Sequence, residues 1–188
     1  FTVYGLAEGV LGVTFPPLER GPVIDSVDRA ALMRDGFAKP ARADDPNALR
    51  FVSSGVPLPG HEVRVVDGAH ELAERAQGRV QFRGPSATRG YYKNPSANAD
   101  LFVDGWLNTG DLGYFDEEGY LFVVGRKKDM VKSGGISIYP LEIEGVLYKH
   151  PNVVEAGVIG VPDPQWGEAV KAIVVLKEAS SVTGEALI

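Results

Sequence analysis

The alternation of apolar and polar residues changes character several times along the chain. From residue 51, the segments EVRVVD and GRVQFR alternate apolar and polar residues between Gly, Pro and Asp, which is typical of short antiparallel strands. Two hairpins are predicted, one joining EVRVVD to RVQFR and the other joining DLGYFD to YLFVVG through a turn at residues 117–119. Strands at this spacing predict a small antiparallel barrel or barrel-like sheet.

The periodicity becomes helical after Lys128. Pro140 begins a predicted helix, PLEIEGVLYKH, because proline is favoured at the first helical position. Its apolar residues fall on one stripe that we expect to be buried: Leu141, Ile143, Val146 and Leu147. Two strands follow, VVEAGVIGVP and AVKAIVVLK, with VPDPQWGE as the turn. A short helix is also predicted near residues 29–33, so the fold class is α+β, with a barrel-like part followed by a small α+β unit.

Composition narrows the function classes. The chain has 188 residues, of which 44% are hydrophobic and 23% charged, as in folded proteins. A net charge of −6 without a basic run argues against nucleic-acid binding. The absence of cysteine excludes disulfides and thiolate zinc sites, and the three histidines show no metal-ligand spacing. No apolar run has membrane-spanning length, and the segment FTVYGLAEGV lacks the basic start and cleavage pattern of a signal peptide, so we expect a cytoplasmic, soluble protein.

Both ends of the sequence also lead to an expectation. The chain starts without methionine in the strand-like FTVYG, and it stops at GEALI, a predicted first helical turn after Thr183. We therefore expect a piece of a longer protein.

Opposite charges frame the second predicted hairpin. Asp111 follows Thr-Gly, and its carboxylate can accept two hydrogen bonds from a vicinal diol such as that of a ribose. Arg126 ends the next strand, and its guanidinium can hold ribose oxygens or a phosphate. The alternatives are that Asp111 caps a turn and that Arg126 is a solvated strand-end charge. Taken singly, the residues leave both possibilities open.

Three further segments carry candidate chemistry. In VYGLAEG, Tyr4 offers an aromatic face for a base, Gly5 a side-chain-free approach and Glu8 a hard carboxylate for Mg²⁺. Lys128 lies where one domain could swing against another, or in a rigid turn. The bare stretch at residues 132–135 is either a path for a cofactor arm or a tight turn.

Some patterns argue against a ligand role. The Tyr91–Tyr92 pair in RGPSATRGYYKNP is predicted to build a packed turn rather than to touch a ligand. No GxxxxGK[ST] loop and no GxGxxG fingerprint occur, which argues against those two nucleotide-binding folds within this segment.

The order of the motifs resembles that of a known family. YGLAE, RGPSATRGYY, GWLNTGD and GRKKDMVKSGG with IYPLEIE, at these separations, resemble the adenylate-forming superfamily of acyl-CoA synthetases, fatty-acyl-AMP ligases, luciferases and peptide-synthetase adenylation domains. The resemblance covers nearly the whole chain. It implies that residues 1–126 are the C-terminal part of the large AMP-binding domain, that 127–129 are a hinge, and that 130–188 are part of the mobile C-terminal domain.

The resemblance also implies roles for individual residues. The carboxylate matching Asp111 holds the ATP ribose, and the arginine matching Arg126 assists at the ribose and phosphate. Lys128 matches the hinge about which the small domain rotates between adenylation and thioester formation. The remaining roles are Mg²⁺ binding by Glu8, the border of the adenine and acyl pocket for Tyr4 and Gly5, a position near the adenine for Val123, and the pantetheine path for Ser133 and Gly134.

The activity implied by the resemblance is ATP-dependent and forms AMP. A carboxylate attacks the α-phosphate of ATP to give acyl-AMP and pyrophosphate, and a thiol then displaces AMP. The implied cofactors are ATP/AMP, Mg²⁺ and coenzyme A or the phosphopantetheine of an acyl carrier protein. The family's Gly-rich phosphate loop lies upstream of this sequence and its catalytic lysine downstream, so the 188 residues alone are expected to be inactive.

The predicted substrate is a fatty acid. SSGVPLPGHEVRVVD, preceded by DRAALMRDG, resembles long-chain acyl-CoA synthetases and fatty-acyl-AMP ligases. Two alternatives remain open, namely a non-catalytic domain that binds a nucleotide or a partner protein, and an adenylation domain for an aryl or amino acid.

Overall fold

A computed structural model describes residues 2–178 and 180–187. The chain folds into two compact units, with the boundary between Lys127 and Lys128. In the part of the chain that the structure describes, no helix has both the length and the apolar character needed to span a bilayer.

The first unit is built mainly from short strands. They are β1 (Thr14–Phe15), β2 (Ile24–Val27), β3 (Leu49–Val52), β4 (Val56–Pro57), β5 (Glu62–Asp67), β6 (His70–Glu71), β7 (Gly78–Arg83), β8 (Phe102–Val103), β9 (Trp106–Phe115) and β10 (Leu121–Arg126). Its helical elements are a 3-10 turn (Ala7–Gly9), α1 (Arg29–Asp35) and α2 (Pro95–Leu101). The short helix predicted near residues 29–33 is therefore confirmed as α1.

An antiparallel sheet forms the centre of this unit. Its strands lie in the order β10-β9-β7-β5-β6, and β8 pairs with β9. Both predicted hairpins are confirmed, since β5 pairs with β7 and β9 pairs with β10. Smaller two-stranded sheets join β1 to β4 and β2 to β3. Among the described strands, β10 and β6 are the two edges of the sheet, so it is barrel-like rather than a closed barrel.

Side chains of the sheet and of the segments packed against it form one hydrophobic cluster. Its buried members are Tyr4, Val13, Val65, Val80, Phe82, Leu101, Leu107 and Leu121. Phe82 of β7 is fully buried, and burial of such a side chain contributes about 1.5–3 kcal/mol to folding. The cluster includes residues of β9 and β10, and it therefore fixes the hairpin that carries Asp111 and Arg126.

A largely buried ion pair between Arg75 and Asp25 lies beside Tyr114 of β9. The hydroxyl of Tyr114 donates to Oδ2 of Asp25 at 2.7 Å, and Nη1 of Arg75 donates to the same oxygen at 2.9 Å. The ring of Tyr114 is stacked on Phe122 with the ring centroids 5.2 Å apart. Burial, followed by the bond to Asp25, raises the pKa of Tyr114. The phenol therefore stays protonated and satisfies a carboxylate that has little contact with water.

The second unit pairs one helix with a separate sheet. Its elements are β11 (Val131–Ser133), β12 (Ile136–Ile138), α3 (Pro140–Leu147), β13 (Val153–Asp163), β14 (Gly167–Leu176) and a 3-10 turn (Gly184–Leu187). The strand order is β12-β11-β14-β13 and all pairings are antiparallel. The predicted helix and both predicted strands are confirmed, and with them the α+β class.

The expected buried stripe of α3 is wrong in part. Leu147 is buried, but Leu141 and Val146 are 66% and 62% exposed. The helix is fixed to β13 by Oε1 of Glu144, which accepts the backbone N–H of Val158 at 2.8 Å. The packed face is therefore narrower than the apolar stripe, and Val146 lines an open apolar groove of about 680 Å³ together with β14.

Candidate functional site

Asp111 and Arg126 meet at the open end of the β9–β10 hairpin. They are directly paired across the two strands, and Nε of Arg126 lies 3.2 Å from Oδ1 of Asp111. The Asp111 side chain is 11% exposed, whereas that of Arg126 is 56% exposed. The two charges predicted to frame the hairpin are thus brought together, with the carboxylate inside and most of the guanidinium in solvent.

A β-bulge in β10 creates this pairing. Val123 is opposite Gly113, but the register shifts before Gly125, which is opposite Leu112. If all these residues were kept and paired without the shift, Gly125 would lie opposite Asp111 and Arg126 opposite Gly110. The bulge therefore sets which side chain faces the carboxylate.

The Thr-Gly pair before Asp111 lies within β9, where the pairing with β7 is irregular. The Thr109 hydroxyl donates to the carbonyl of Val80 at 2.9 Å and accepts the N–H of Asp111 at 3.1 Å. Gly110 has φ +82°, which favours glycine, and its carbonyl accepts the N–H of Lys127 at 2.9 Å. The Thr109 hydroxyl takes up the backbone N–H of Asp111, and the carboxylate of Asp111 is left to bind other side chains.

Tyr4 is the second partner of that carboxylate. Its hydroxyl donates to Oδ2 of Asp111 at 2.6 Å, and both residues are only 8% exposed. Backbone bonds fix Tyr4 against Val13 and Thr14, at 2.9 Å and 3.2 Å. Burial, and then the bond to Asp111, raises the pKa of Tyr4 above its ordinary value. The phenol therefore stays protonated at neutral pH and donates its hydrogen bond to the carboxylate. Oδ2 of Asp111 thus accepts a hydrogen bond from Tyr4, and Oδ1 forms the ion pair with Arg126.

Glu8 lies in the 3-10 turn Ala7–Gly9, and its carboxylate accepts a hydrogen bond from the Tyr91 hydroxyl. This bond raises the pKa of Tyr91. The backbone N–H of Thr88 also donates to the Glu8 carbonyl at 2.8 Å. Sequence reasoning assigned Tyr91 to a packed turn and missed its contact with the candidate metal ligand. The available signal was chemical, because a phenol in a packed turn usually finds a polar partner for its hydroxyl.

A metal at Glu8 would have to bring other ligands. Among residues 2–178 and 180–187, no group of three or more His, Cys, Asp or Glu side chains can hold a metal ion. Mg²⁺ is commonly held by one or two carboxylates together with phosphate oxygens and water. A single carboxylate such as Glu8 therefore fits a Mg²⁺ that arrives on a nucleotide.

The surroundings of Gly5 and Val123 are explained by packing within the protein itself. A Cβ on Gly5 would lie 2.0 Å from the carbonyl oxygen of Leu11, so the missing side chain makes room for the protein's own backbone. Val123 is half-buried and packs against the hydrophobic cluster that contains Tyr4. Their predicted positions beside an adenine remain predictions.

Ser133 and Gly134 belong to the second unit. Gly134 and Gly135 connect β11 to β12 in a two-residue hairpin turn. Their φ angles are +55° and +83°, and a turn with positive φ at both central residues favours glycine. A Cβ on Gly134 would lie 2.9 Å from Trp166, whereas one on Gly135 would meet nothing within 4 Å. The stretch is a tight turn whose Gly134 side is covered by an indole, and the pantetheine role remains a prediction.

Lys128 is an exposed turn residue and the first residue of the second unit. Its predicted action as a hinge, with the domain limits given above, also remains a prediction.

Known proteins resemble most of the chain. Residues 142–188 match the family model of the AMP-binding enzyme C-terminal domain. A 2-succinylbenzoate–CoA ligase of Bacillus licheniformis is 46% identical over 123 residues, which are 65% of this chain and 26% of that protein. The corresponding ligase of Geobacillus kaustophilus is 42% identical over 145 residues, covering 77% of this chain and 30% of the relative.

Solved structures extend the match to most of the chain. One from a study of fatty acyl-adenylate ligases of E. coli and L. pneumophila has a TM-score of 0.84 and 32% identity, covering 94% of this chain and 32% of that one. The o-succinylbenzoate CoA synthetase of Bacillus subtilis, in complex with its acyl-adenylate intermediate, has a TM-score of 0.64 and 42% identity, covering 69% and 27%.

These matches define the class: the chain belongs to the family of adenylate-forming enzymes. Its relatives include acyl-CoA ligases, and its second unit carries the match to the C-terminal domain of AMP-binding enzymes. The chain spans between a quarter and a third of the length of these curated relatives.

Proposed function

We propose that the protein carrying this chain is an AMP-forming acid–thiol ligase, which activates a carboxylic acid as acyl-AMP and passes it to a thiol. The observation that carries the proposal is the buried Asp111 carboxylate, held between Tyr4 and Arg126. Such a carboxylate suits a vicinal diol, and the half-exposed guanidinium beside it suits the oxygens of a nucleotide.

The chain's own groups would act in binding and orientation. Asp111 would hold the ribose hydroxyls of ATP, and Arg126 would reach the ribose or α-phosphate while remaining paired with Asp111. Glu8, kept in place by Tyr91, would bind the Mg²⁺ carried by the phosphates. Bound Mg²⁺ would counter the negative charge that develops during attack on the α-phosphate. Fixing the nucleotide in this way lowers the entropic barrier to attack by the substrate carboxylate.

The acceptor is proposed to be the thiol of coenzyme A or of a carrier-protein phosphopantetheine. Relatives named as CoA ligases support coenzyme A. A solved structure with 27% identity to this chain, described as an A-PCP complexed with phenylalanyl-adenylate, supports a carrier protein as the alternative. Ser133 and Gly134 are the proposed residues along the pantetheine arm, which would approach this turn from the open side at Gly135, where a Cβ would meet nothing within 4 Å.

Two substrate classes have separate support. A fatty acid is favoured by the TM-score of 0.84 to the fatty acyl-adenylate ligase structure, which covers nearly the whole chain. An aryl acid is favoured by the higher identity, 46%, to a 2-succinylbenzoate–CoA ligase over a shorter region. We propose the fatty acid as substrate, with the aryl acid as the second candidate.

A pyrophosphate-release assay tests the activity and the substrate together. The protein is supplied with ATP, Mg²⁺ and one acid at a time from medium- and long-chain fatty acids, 2-succinylbenzoate and amino acids, with and without coenzyme A. We expect release that depends on the acid and is greatest with fatty acids, and formation of a thioester only when coenzyme A is present. Release that is independent of every acid would contradict the ligase, and preference for 2-succinylbenzoate would select the aryl branch.

The hinge can be tested at Lys128. Proline there would fix φ near −65°, so a backbone that must rotate at this residue would lose its second state. We expect Lys128→Pro to slow thioester formation at least about tenfold more than acyl-AMP formation, as measured in separate single-turnover assays. Lys128→Ala keeps the backbone free and separates the backbone effect from that of the ammonium group. An equal loss in both half-reactions with Lys128→Pro would argue against a hinge.

A further inference from the structure

Tyr4 makes a contact that no role proposed for it uses. As an aromatic wall it would need only its ring, yet its hydroxyl donates to Oδ2 of Asp111 at 2.6 Å from a position that is 8% exposed. Burying a phenol costs free energy unless the hydroxyl is bonded, and a bond to a carboxylate is among the stronger ones. The contact joins residues 107 positions apart in the sequence.

The acceptor capacity of Asp111 shows what this bond does. An ionised carboxylate has about four lone-pair directions, two on each oxygen. Tyr4 uses one on Oδ2, and Arg126 lies beside Oδ1 in an ion pair. At least one direction is then left on each oxygen, which is what the two hydroxyls of a vicinal diol require.

The same bond restricts rotation of the carboxylate. The χ2 torsion of aspartate is broad, so an unrestrained carboxylate samples many planes. The hydrogen bond from Tyr4 to Oδ2 restricts the plane more firmly than the ion pair at Oδ1 does, because Tyr4 is buried while the Arg126 side chain is 56% exposed. Backbone bonds to Val13 and Thr14 hold Tyr4 itself in place.

We propose that Tyr4 is a positioning residue, whose hydroxyl orients Asp111 so that both carboxylate oxygens face a ribose diol, and that it thereby sets the preference for ribonucleotides over deoxynucleotides. This inference rests on the proposed function, since it assumes that Asp111 binds the ribose of ATP.

Tyr4→Phe is the direct test, and the chain supplies a matched control. Tyr114 is another buried tyrosine of the same unit whose hydroxyl donates to an aspartate, Asp25, at 2.7 Å. Tyr114→Phe therefore removes the same kind of bond away from Asp111. For both variants and the original protein, the dissociation constants of ATP, 2′-deoxy-ATP and 3′-deoxy-ATP are measured by calorimetry, and the thermal midpoint is recorded.

The ratio of deoxy-ATP to ATP dissociation constants is the decisive quantity, because it does not depend on the folded fraction of a preparation. In the original protein we expect a ratio of at least about 10, as loss of a hydrogen bond to a charged group costs about 1.5–3 kcal/mol. Tyr4→Phe should reduce the ratio to below about 3, and Tyr114→Phe should lower the thermal midpoint while leaving the ratio unchanged. A ratio in Tyr4→Phe equal to that of the original protein would overturn the proposal.

A second measurement tests the proposal without removing the Tyr4 hydroxyl, in case Tyr4→Phe does not fold. Site-specific 3-fluorotyrosine at position 4 keeps the ring and the donor, and its ¹⁹F resonance should shift more with AMP than with 2′,3′-dideoxy-AMP. The same label at position 114 should respond equally to both. Equal shifts at position 4 would contradict the positioning role. If the original protein binds no ATP or AMP, the proposed function itself fails; if it binds ATP but does not distinguish the deoxynucleotides, only the ribose assignment fails.

Discussion

Asp111→Ala is expected to weaken ATP binding roughly 10- to 100-fold, because each hydrogen bond between a ribose hydroxyl and a carboxylate contributes about 1.5–3 kcal/mol. The substitution also leaves the buried Tyr4 hydroxyl without its acceptor, so a lower thermal midpoint should accompany the loss of affinity. Calorimetric titration with ATP measures the first effect, and thermal unfolding followed by circular dichroism measures the second.

Asp116 provides the control for this prediction. It is as buried as Asp111, at 8% exposure, and lies at the other end of the same hairpin, where its Oδ1 accepts the backbone N–H groups of Glu118 and Tyr120 at 3.0 Å and 2.8 Å. Asp116→Ala should therefore reduce stability with less than about a threefold change in ATP affinity, an amount below about 1 kcal/mol. If both variants bound ATP equally well, the ribose assignment of Asp111 would be wrong.

Gly55→Ala is expected to have the largest effect on folding. Gly55 has φ +87°, and a Cβ there would lie 2.0 Å from the carbonyl carbon of Phe15. Because the obstacle is backbone, it cannot be relieved by a side-chain rotation. The Gly55 carbonyl also accepts the N–H of Leu121 in the buried cluster at 2.9 Å, so any shift of the segment disturbs the core. We expect a loss of more than about 4 kcal/mol, enough to lower the thermal midpoint by roughly 10 °C or to prevent folding.

Gly119→Ala separates this clash from the strain of positive φ. Gly119 has φ +78°, but a Cβ there would meet nothing within 4 Å. Its substitution should cost only about 1–2 kcal/mol, the strain of a left-handed conformation. Comparable midpoints for the two variants in differential scanning calorimetry would show that the contact with Phe15 relaxes easily.

Local pattern predicted the strands well because strand pairing in hairpins is a short-range matter. The β9–β10 hairpin follows from alternation on both sides of a turn at Glu117, Glu118 and Gly119, and no distant contact is needed to specify it. The bulge before Gly125 is different, since it depends on how the strands twist and pack. Proximity of Asp111 and Arg126 was predicted from the hairpin, while the register that pairs them directly was not.

The errors and omissions arose where long-range packing decides. The apolar stripe of α3 is wider than the face that packs on β13. The sequence pattern alone does not show which part of the stripe is packed, and Leu141 and Val146 lie on the exposed part. The sequence shows that Gly5 has no side chain, but it does not show whether a ligand or the backbone of Leu11 occupies the space beside it. The bond between Tyr4 and Asp111 spans 107 positions, beyond the reach of any local pattern.

The bulged hairpin also has a consequence for length variation among related sequences. Insertions at the turn around Glu118 lie at the far end from Asp111 and Arg126, so they lengthen the loop and leave the paired ends in register. Loss of one residue between Val123 and Arg126 would restore regular pairing and still leave Arg126 opposite Asp111, because the bulge holds a single extra residue. Relatives that keep the site are thus free to differ in turn length, and a β10 strand that is one residue shorter can keep the same pair without a bulge.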